Sequence, residues 1–141
     1  MQSRLYWHIH KLAFMLEKRA DELLKKEVGI GFAQYKVLEA VNVNTLAKQN
    51  TIAQMLDQTE ASISRQVKIL QKKGLINIKD VMGNKRAREI GLTHIGEEIV
   101  GQAETILQYT QAELLHSLTE QEQATLASII ERSLVVMKKS D

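Results

Sequence analysis

Eight cations, Arg65, Lys68, Lys72, Lys73, Lys79, Lys85, Arg86 and Arg88, stand between Glu60 and Ile90 against three anions, Glu60, Asp80 and Glu89. Eight less three leaves this segment at +5 in a chain whose net charge is +2, so the remainder carries −3. A basic segment on an otherwise mildly acidic chain is the electrostatic footprint of contact with a polyanion such as nucleic acid. A merely solvated charged face has the same composition, so the arrangement of the cations has to decide.

On a wheel of 3.6 residues per turn, Ile63, Val67 and Leu70 share one face of a helix. Ala61, Arg65, Lys68 and Lys72 fall opposite, with Ser62 and Ser64 on the flanks and Thr59 as the N-cap. Small residues at a helix start permit close approach to base edges. An arginine one turn on offers a bidentate fork to guanine, and lysines further along neutralise phosphates. Lys85, Arg86 and Arg88 gather at and just after Gly83-Asn84, a pair suited to a two-residue hairpin turn. A cationic hairpin tip suits a narrow minor groove, although lysine and arginine also protect edge strands from aggregation.

Other chemistries find little support. Cysteine is absent, which excludes disulfides, thiol catalysis and thiolate metal sites within the chain. His8 and His10 are two apart and diverge on a helix, His94 and His116 are isolated, and no HExxH pattern occurs, so no metal site is expected. Tyr6, Trp7 and Tyr35 are candidates for lining a ligand pocket, but aromatics on apolar helix faces more often belong to a core. No glycine-rich phosphate loop or nucleophile–base set is visible, so neither a cofactor nor enzymatic activity is expected. The segment from Met1 to Arg19 is too charged for a signal peptide, and no apolar run is long enough to span a membrane, so the expected location is cytoplasmic.

These residues need elements to hold them. The chain has 141 residues, 44% of them hydrophobic and 4% aromatic, so it supports a mostly aliphatic core. It contains no proline, which favours long, uninterrupted helices. Leu5, Ile9, Leu12, Leu16, Ala20 and Leu23 mark a first amphipathic helix that Gly29 and Gly31 interrupt. A second helix spans about Phe32 to Val41, then Asn42-Val43-Asn44 reads as a turn with Thr45 as the next N-cap. A third helix runs near Leu46 to Leu56 and buries Ile52, Ala53 and Leu56. Asp57-Gln58 joins it to the fourth, which Gly74 ends. Leu75 to Val81 alternates as a half-buried strand, and Arg86 to Leu92 returns antiparallel. Thr93 caps a fifth helix, and the capping box Thr119 to Glu122 opens a sixth, with Leu126, Ile130, Leu134 and Met137 on one side.

Several runs in this order of elements resemble the multiple-antibiotic-resistance regulator (MarR) family. They are Phe32-Ala33-Gln34-Tyr35-Lys36-Val37-Leu38, Ile52-Ala53-Gln54-Met55-Leu56, Ser64-Arg65, Leu70-Gln71-Lys72-Lys73-Gly74-Leu75-Ile76, and Arg86 followed by Leu92-Thr93-His94-Ile95-Gly96. The resemblance spans essentially the whole chain, and the junction at Thr93 is its most specific part. It implies a winged-helix homodimer, usually a repressor, often released from DNA by a small aromatic or anionic ligand. Two positions depart from the family pattern. Asn84 stands where an aspartate commonly orients the wing arginine, here Arg86, and Asp57 stands where the inter-helix turn often carries glycine. Aspartate tolerates the left-handed region better than most residues.

The expected architecture is all-α with a small β-wing: a winged helix-turn-helix lobe over 32–92, and a helical dimerisation region built from both termini, 1–28 and 93–141. Leu5, Ile9, Leu12 and Leu16 at one end, and Val100, Leu107, Leu114, Ile130 and Leu134 at the other, are the expected dimer contacts. The expected partner is a pseudo-palindromic double-stranded operator. A helical protein-interaction adaptor and a metal-responsive winged-helix regulator are the alternatives; the first predicts no salt-steep affinity for duplex DNA, the second a metal-dependent one.

Overall fold

A computed structural model describes the backbone over residues 4–45, 47–81 and 84–139 and the side chains over 4–45, 47–80 and 88–139. The element order is α1 (Leu5–Val28), α2 (Phe32–Val43), β1 (Ala47–Lys48), α3 (Gln49–Met55), α4 (Glu60–Lys72), β2 (Ile76–Val81), β3 (Asn84–Leu92), α5 (His94–Leu115) and α6 (Glu120–Lys139). The chain forms two compact units, Met1–Leu107 and Gln108–Asp141.

The first unit is organised around α2, which buries Tyr35, Val37, Leu38, Ala40 and Val41 and so is apolar on most of its circumference. Such a helix has to be surrounded. Leu24 of α1, Ile52 of α3, Ile63, Val67 and Leu70 of α4, Ile76 of β2, Ile90 of β3 and Val100 and Ala103 of α5 complete the core. Asp21 of α1 fixes the start of α2: its carboxylate accepts the Phe32 backbone N–H at 2.9 Å and pairs with the Lys25 ammonium at 2.8 Å. One otherwise orphaned helix donor is thereby satisfied from a neighbouring helix.

Several sequence expectations need correction here. Asn42-Val43-Asn44 is no free turn, because α2 continues to Val43 and the Asn44 amide donates to the Ala40 carbonyl at 2.8 Å. Thr45 does not cap α3; Lys48, extended at φ −98° and ψ 152°, holds that position. The reason is a third strand. Ala47 and Lys48 pair with Ile90 and Glu89, so the chain stays extended and the helix begins at Gln49. The sheet order is β1-β3-β2, all antiparallel. Leu46, the expected start of α3, lies outside the described residues.

In the second unit, α6 opens on a reciprocal capping box. The Thr119 backbone N–H donates to Glu122 Oε1 at 2.9 Å and the Glu122 N–H donates to Thr119 Oγ1 at 3.2 Å. The Gln123 amide donates to the carbonyls of Leu115, the last residue of α5, and of Leu118 in the connection to α6. No residue of α6 is buried.

Candidate nucleic-acid interface

The connection between α3 and α4 sets the candidate recognition helix. Asp57 takes φ +51°, the left-handed turn residue that its side chain tolerates. Gln58 N–H then donates to the Ala53 carbonyl at 3.0 Å, and Thr59 Oγ1 accepts the Ser62 N–H at 3.1 Å as the N-cap of α4. The Gln49 side chain donates to the Glu60 carbonyl at 3.2 Å, tying the first turns of α3 and α4 together.

Helix α4 divides as its wheel predicts. Ile63, Val67 and Leu70 are at most 2% exposed. Ala61, Arg65, Lys68 and Lys72 are exposed, as is Thr59, while Ser62 and Ser64 are half-buried. The Ser62 hydroxyl donates to Gln58 Oε1 at 3.0 Å, so it also braces the turn. Lys73 differs from its neighbour Lys72: its ammonium donates to the Gly29 carbonyl at 3.2 Å and to Gln34 Oε1 at 3.3 Å. This cation of the basic segment therefore anchors the end of α4 to the α1–α2 corner. Sequence reasoning missed that role, because the partner lies 44 positions away.

Gly74, at φ +76°, turns the chain from α4 into β2. Pairing runs from Ile76↔Leu92 to Lys79↔Glu89, then shifts so that Val81 faces Asn84. Asn84 is thus a strand residue and not part of a two-residue turn; Gly83 lies outside the described residues. The side chains of Lys85 and Arg86, expected at the wing tip, also lie outside them. Arg88 is placed: its Nε donates to Asp80 Oδ1 at 2.9 Å across the hairpin. Asp80 lies where the register shifts between Lys79 and Val81, so the ion pair with Arg88 bridges the two strands at that irregularity.

The junction from wing to α5 is held by hydrogen bonds of Thr93 and a close approach at Gly96. Thr93 Oγ1 accepts the Gly96 N–H at 2.9 Å as the cap of α5 and donates to the Gly74 carbonyl at 2.6 Å. The Thr93 N–H donates to the Leu75 carbonyl at 3.1 Å. A Cβ at Gly96 would be driven into that same Leu75 carbonyl, so only glycine fits. The run Leu92-Thr93-His94-Ile95-Gly96 is therefore a three-way knot of α4's end, β3's end and α5's start.

Among the expected dimer contacts, Leu5, Ile9, Leu12, Ile130 and Leu134 are exposed, and Leu16 and Leu114 are half-buried. Val100 is different. It is buried in the first unit's core, with Leu107 packed against that core, because the first turns of α5 cover α2's surroundings. The Val100 side chain is accounted for inside the chain, while Leu107 is half-buried. Tyr35 is a core residue, stacked on Phe32, its hydroxyl donating to Glu39 at 3.4 Å. Burial, then the Glu39 and Glu104 carboxylates, push its pKa up to about 12. Tyr6 and Trp7 are exposed and meet edge to face. His94 pairs with Glu98 at 3.1 Å. Among the described residues no three His, Asp or Glu side chains gather as a metal would need, and no helix is long and apolar enough to cross a membrane.

No family model matches the chain. Solved structures do. Wild-type MarR from E. coli, in its apo form, is 24% identical, with a TM-score of 0.80 over 92% of this chain and 96% of that one. MepR from S. aureus, solved as a complex with DNA, is 22% identical, with a TM-score of 0.80 over 94% and 97%. MarR from Staphylococcus aureus, in complex with salicylate and kanamycin, is 14% identical, with a TM-score of 0.87 over 100% and 95%. At these identities the likeness is one of fold. With the three-stranded sheet, the Thr59-capped α4 and the Thr93 junction already in place, the chain has the winged-helix fold of the MarR-type transcriptional regulators.

Proposed function

We propose that this chain is a sequence-specific double-stranded DNA-binding regulator of transcription. It acts as a homodimer on a pseudo-palindromic operator in the cytoplasm and has no enzymatic activity. The observation that carries this reading is α4: Arg65, Lys68 and Lys72 stand exposed on one face, while Ile63, Val67 and Leu70 anchor the opposite face in the core. A helix held this way presents its first turns to base edges and its later lysines to phosphates. The MepR–DNA complex of the same fold supports DNA as the partner, and the salicylate complex supports repression relieved by a small aromatic or anionic ligand. The ligand shifts the population between lobe spacings that do and do not match successive major grooves.

Dimerisation rests on exposed apolar side chains. Leu5, Ile9 and Leu12 on α1, and Ile130 and Leu134 on α6, lie in water in the isolated chain. Covering such residues contributes roughly 1.5–3 kcal/mol each, and an isologous dimer is the commonest way to do so.

The test is selection of binding sites from random duplex DNA, followed by titration at several salt concentrations. Affinity should fall steeply as salt rises, since each neutralised phosphate releases counterions. Arg65→Ala should cost about 1–3 kcal/mol of specific binding and relax preference at one base pair per half-site. Equal affinity for selected and scrambled duplexes at physiological salt would sink the reading.

A further inference from the structure

The base of the wing carries opposite charges in cross-strand pairs. Lys79 sits opposite Glu89, and at the next position the Arg88 guanidinium holds Asp80 at 2.9 Å, where the strand register shifts. The Asp80 and Arg88 side chains are 65% and 43% exposed. An ion pair this open contributes little to folding, so stability gives little reason for an anion on a cationic ribbon. Its geometry gives a better one. Bonding through Nε uses one of the five guanidinium N–H donors and leaves the terminal fork for a second acceptor. It also restricts beforehand a side chain that otherwise loses much rotamer entropy when it is immobilised.

We propose that Asp80 is a positioning residue that holds Arg88 with its terminal nitrogens presented to a DNA backbone phosphate beside the wing. This rests on the DNA-binding reading above and deepens it. A phosphate is favoured over a base edge because Arg88 lies beside the paired Glu89, well inside β3 from its start at Asn84, and phosphates rim the groove that a tip enters. The proposal has an unusual sign. Removing an anion near a polyanion should tighten binding on electrostatic grounds alone. If Asp80 positions Arg88, removing it weakens binding.

The experiment titrates the full chain against its selected duplex at several salt concentrations, using Asp80→Ala, Asp80→Glu, Arg88→Ala and the double variant. Asp80→Ala and Arg88→Ala should each weaken binding about fivefold on all sequences and lower the salt slope by up to about one. Asp80→Glu should retain binding. In the Arg88→Ala background, Asp80→Ala should no longer weaken binding and should slightly tighten it. Tighter or unchanged binding by Asp80→Ala alone overturns the proposal, as does equal weakening in both backgrounds, which would mean that Asp80 acts through the hairpin's folding. A change of base preference in Arg88→Ala overturns the phosphate assignment. If the wild-type chain itself shows no salt-dependent duplex binding, the functional reading falls and this inference with it. If the wild type binds while Asp80→Ala tightens, only the inference falls.

Discussion

Helices α4 and α6 carry the same kind of pattern and meet different fates. In α4 the apolar row Ile63, Val67 and Leu70 is closed off inside the first unit by α2 and its neighbours. In α6 the row Leu126, Ile130 and Leu134 finds no such cover: none of its residues is buried, and Ile130 and Leu134 are 48% and 55% exposed. An amphipathic stripe announces that a face needs covering but does not say which molecule supplies the cover. For α4 the chain supplies it, which frees the polar face for a ligand. For α6 a second copy is the proposed supplier.

The largest effect should come from deleting α6. A chain ending before Thr119 keeps α4 and the wing, yet it should sediment as a monomer and lose operator binding, because one half-site alone is weak. A truncated chain that remained dimeric would show that the α6 face is not the subunit interface. Single truncations of side chains sharpen the contrast. Leu70→Ala should destabilise by about 2–5 kcal/mol through loss of burial and the cavity left behind. In denaturant unfolding that loss should be similar at low and high protein concentration. Leu134→Ala should act through the dimer instead, so its effect should depend on protein concentration. If the two variants behaved alike, the distinction between an internal and an external face would be wrong.

Smaller effects separate neighbouring residues of α4 itself. Lys72→Met should weaken binding to every sequence and lower the salt slope by about one. Lys73→Met should leave the slope unchanged and cost under about 1 kcal/mol of stability, since its ammonium is held by Gly29 and Gln34 at an exposed site. A reduced slope for Lys73→Met would place that ammonium on DNA and not at the helix corner.

The smallest effect concerns how α2, which covers α4's apolar face, is started. The Lys25 ammonium first, and the Phe32 N–H second, hold the Asp21 carboxyl below its ordinary pKa of 3.8. A depressed folded-state pKa means that the stabilisation is present above that ordinary value and is lost as pH falls through the folded one. Thermal melts of wild type and Asp21→Asn should therefore differ at neutral pH and converge as acid protonates the folded carboxyl, below its ordinary pKa. A gap that stayed constant in acid would assign the effect to something other than ionisation.

Much of this molecule was readable before any coordinates. Periodicity alone assigned Ile63, Val67 and Leu70 to the core, and side-chain chemistry alone identified Thr59, Thr93 and the Thr119–Glu122 box as caps, because both depend on neighbours within one helical turn. The same locality let Asp57 stand in for glycine in the left-handed turn. Contacts between distant positions were not readable. A two-residue strand such as Ala47–Lys48 has no period to detect; it exists only because Ile90 and Glu89 lie beside it, and that pairing displaced the expected Thr45 cap. The heptad-like spacing along α5 groups Val100 with Leu107 and the later positions, yet the core takes Val100 and partly covers Leu107. In the sequence Lys73 and Asp80 count only as charges, and Arg88 only as one of three wing cations. Tertiary structure gave each a partner, and a charge's role depends on what lies within about 4 Å of it, a distance that sequence separation does not encode.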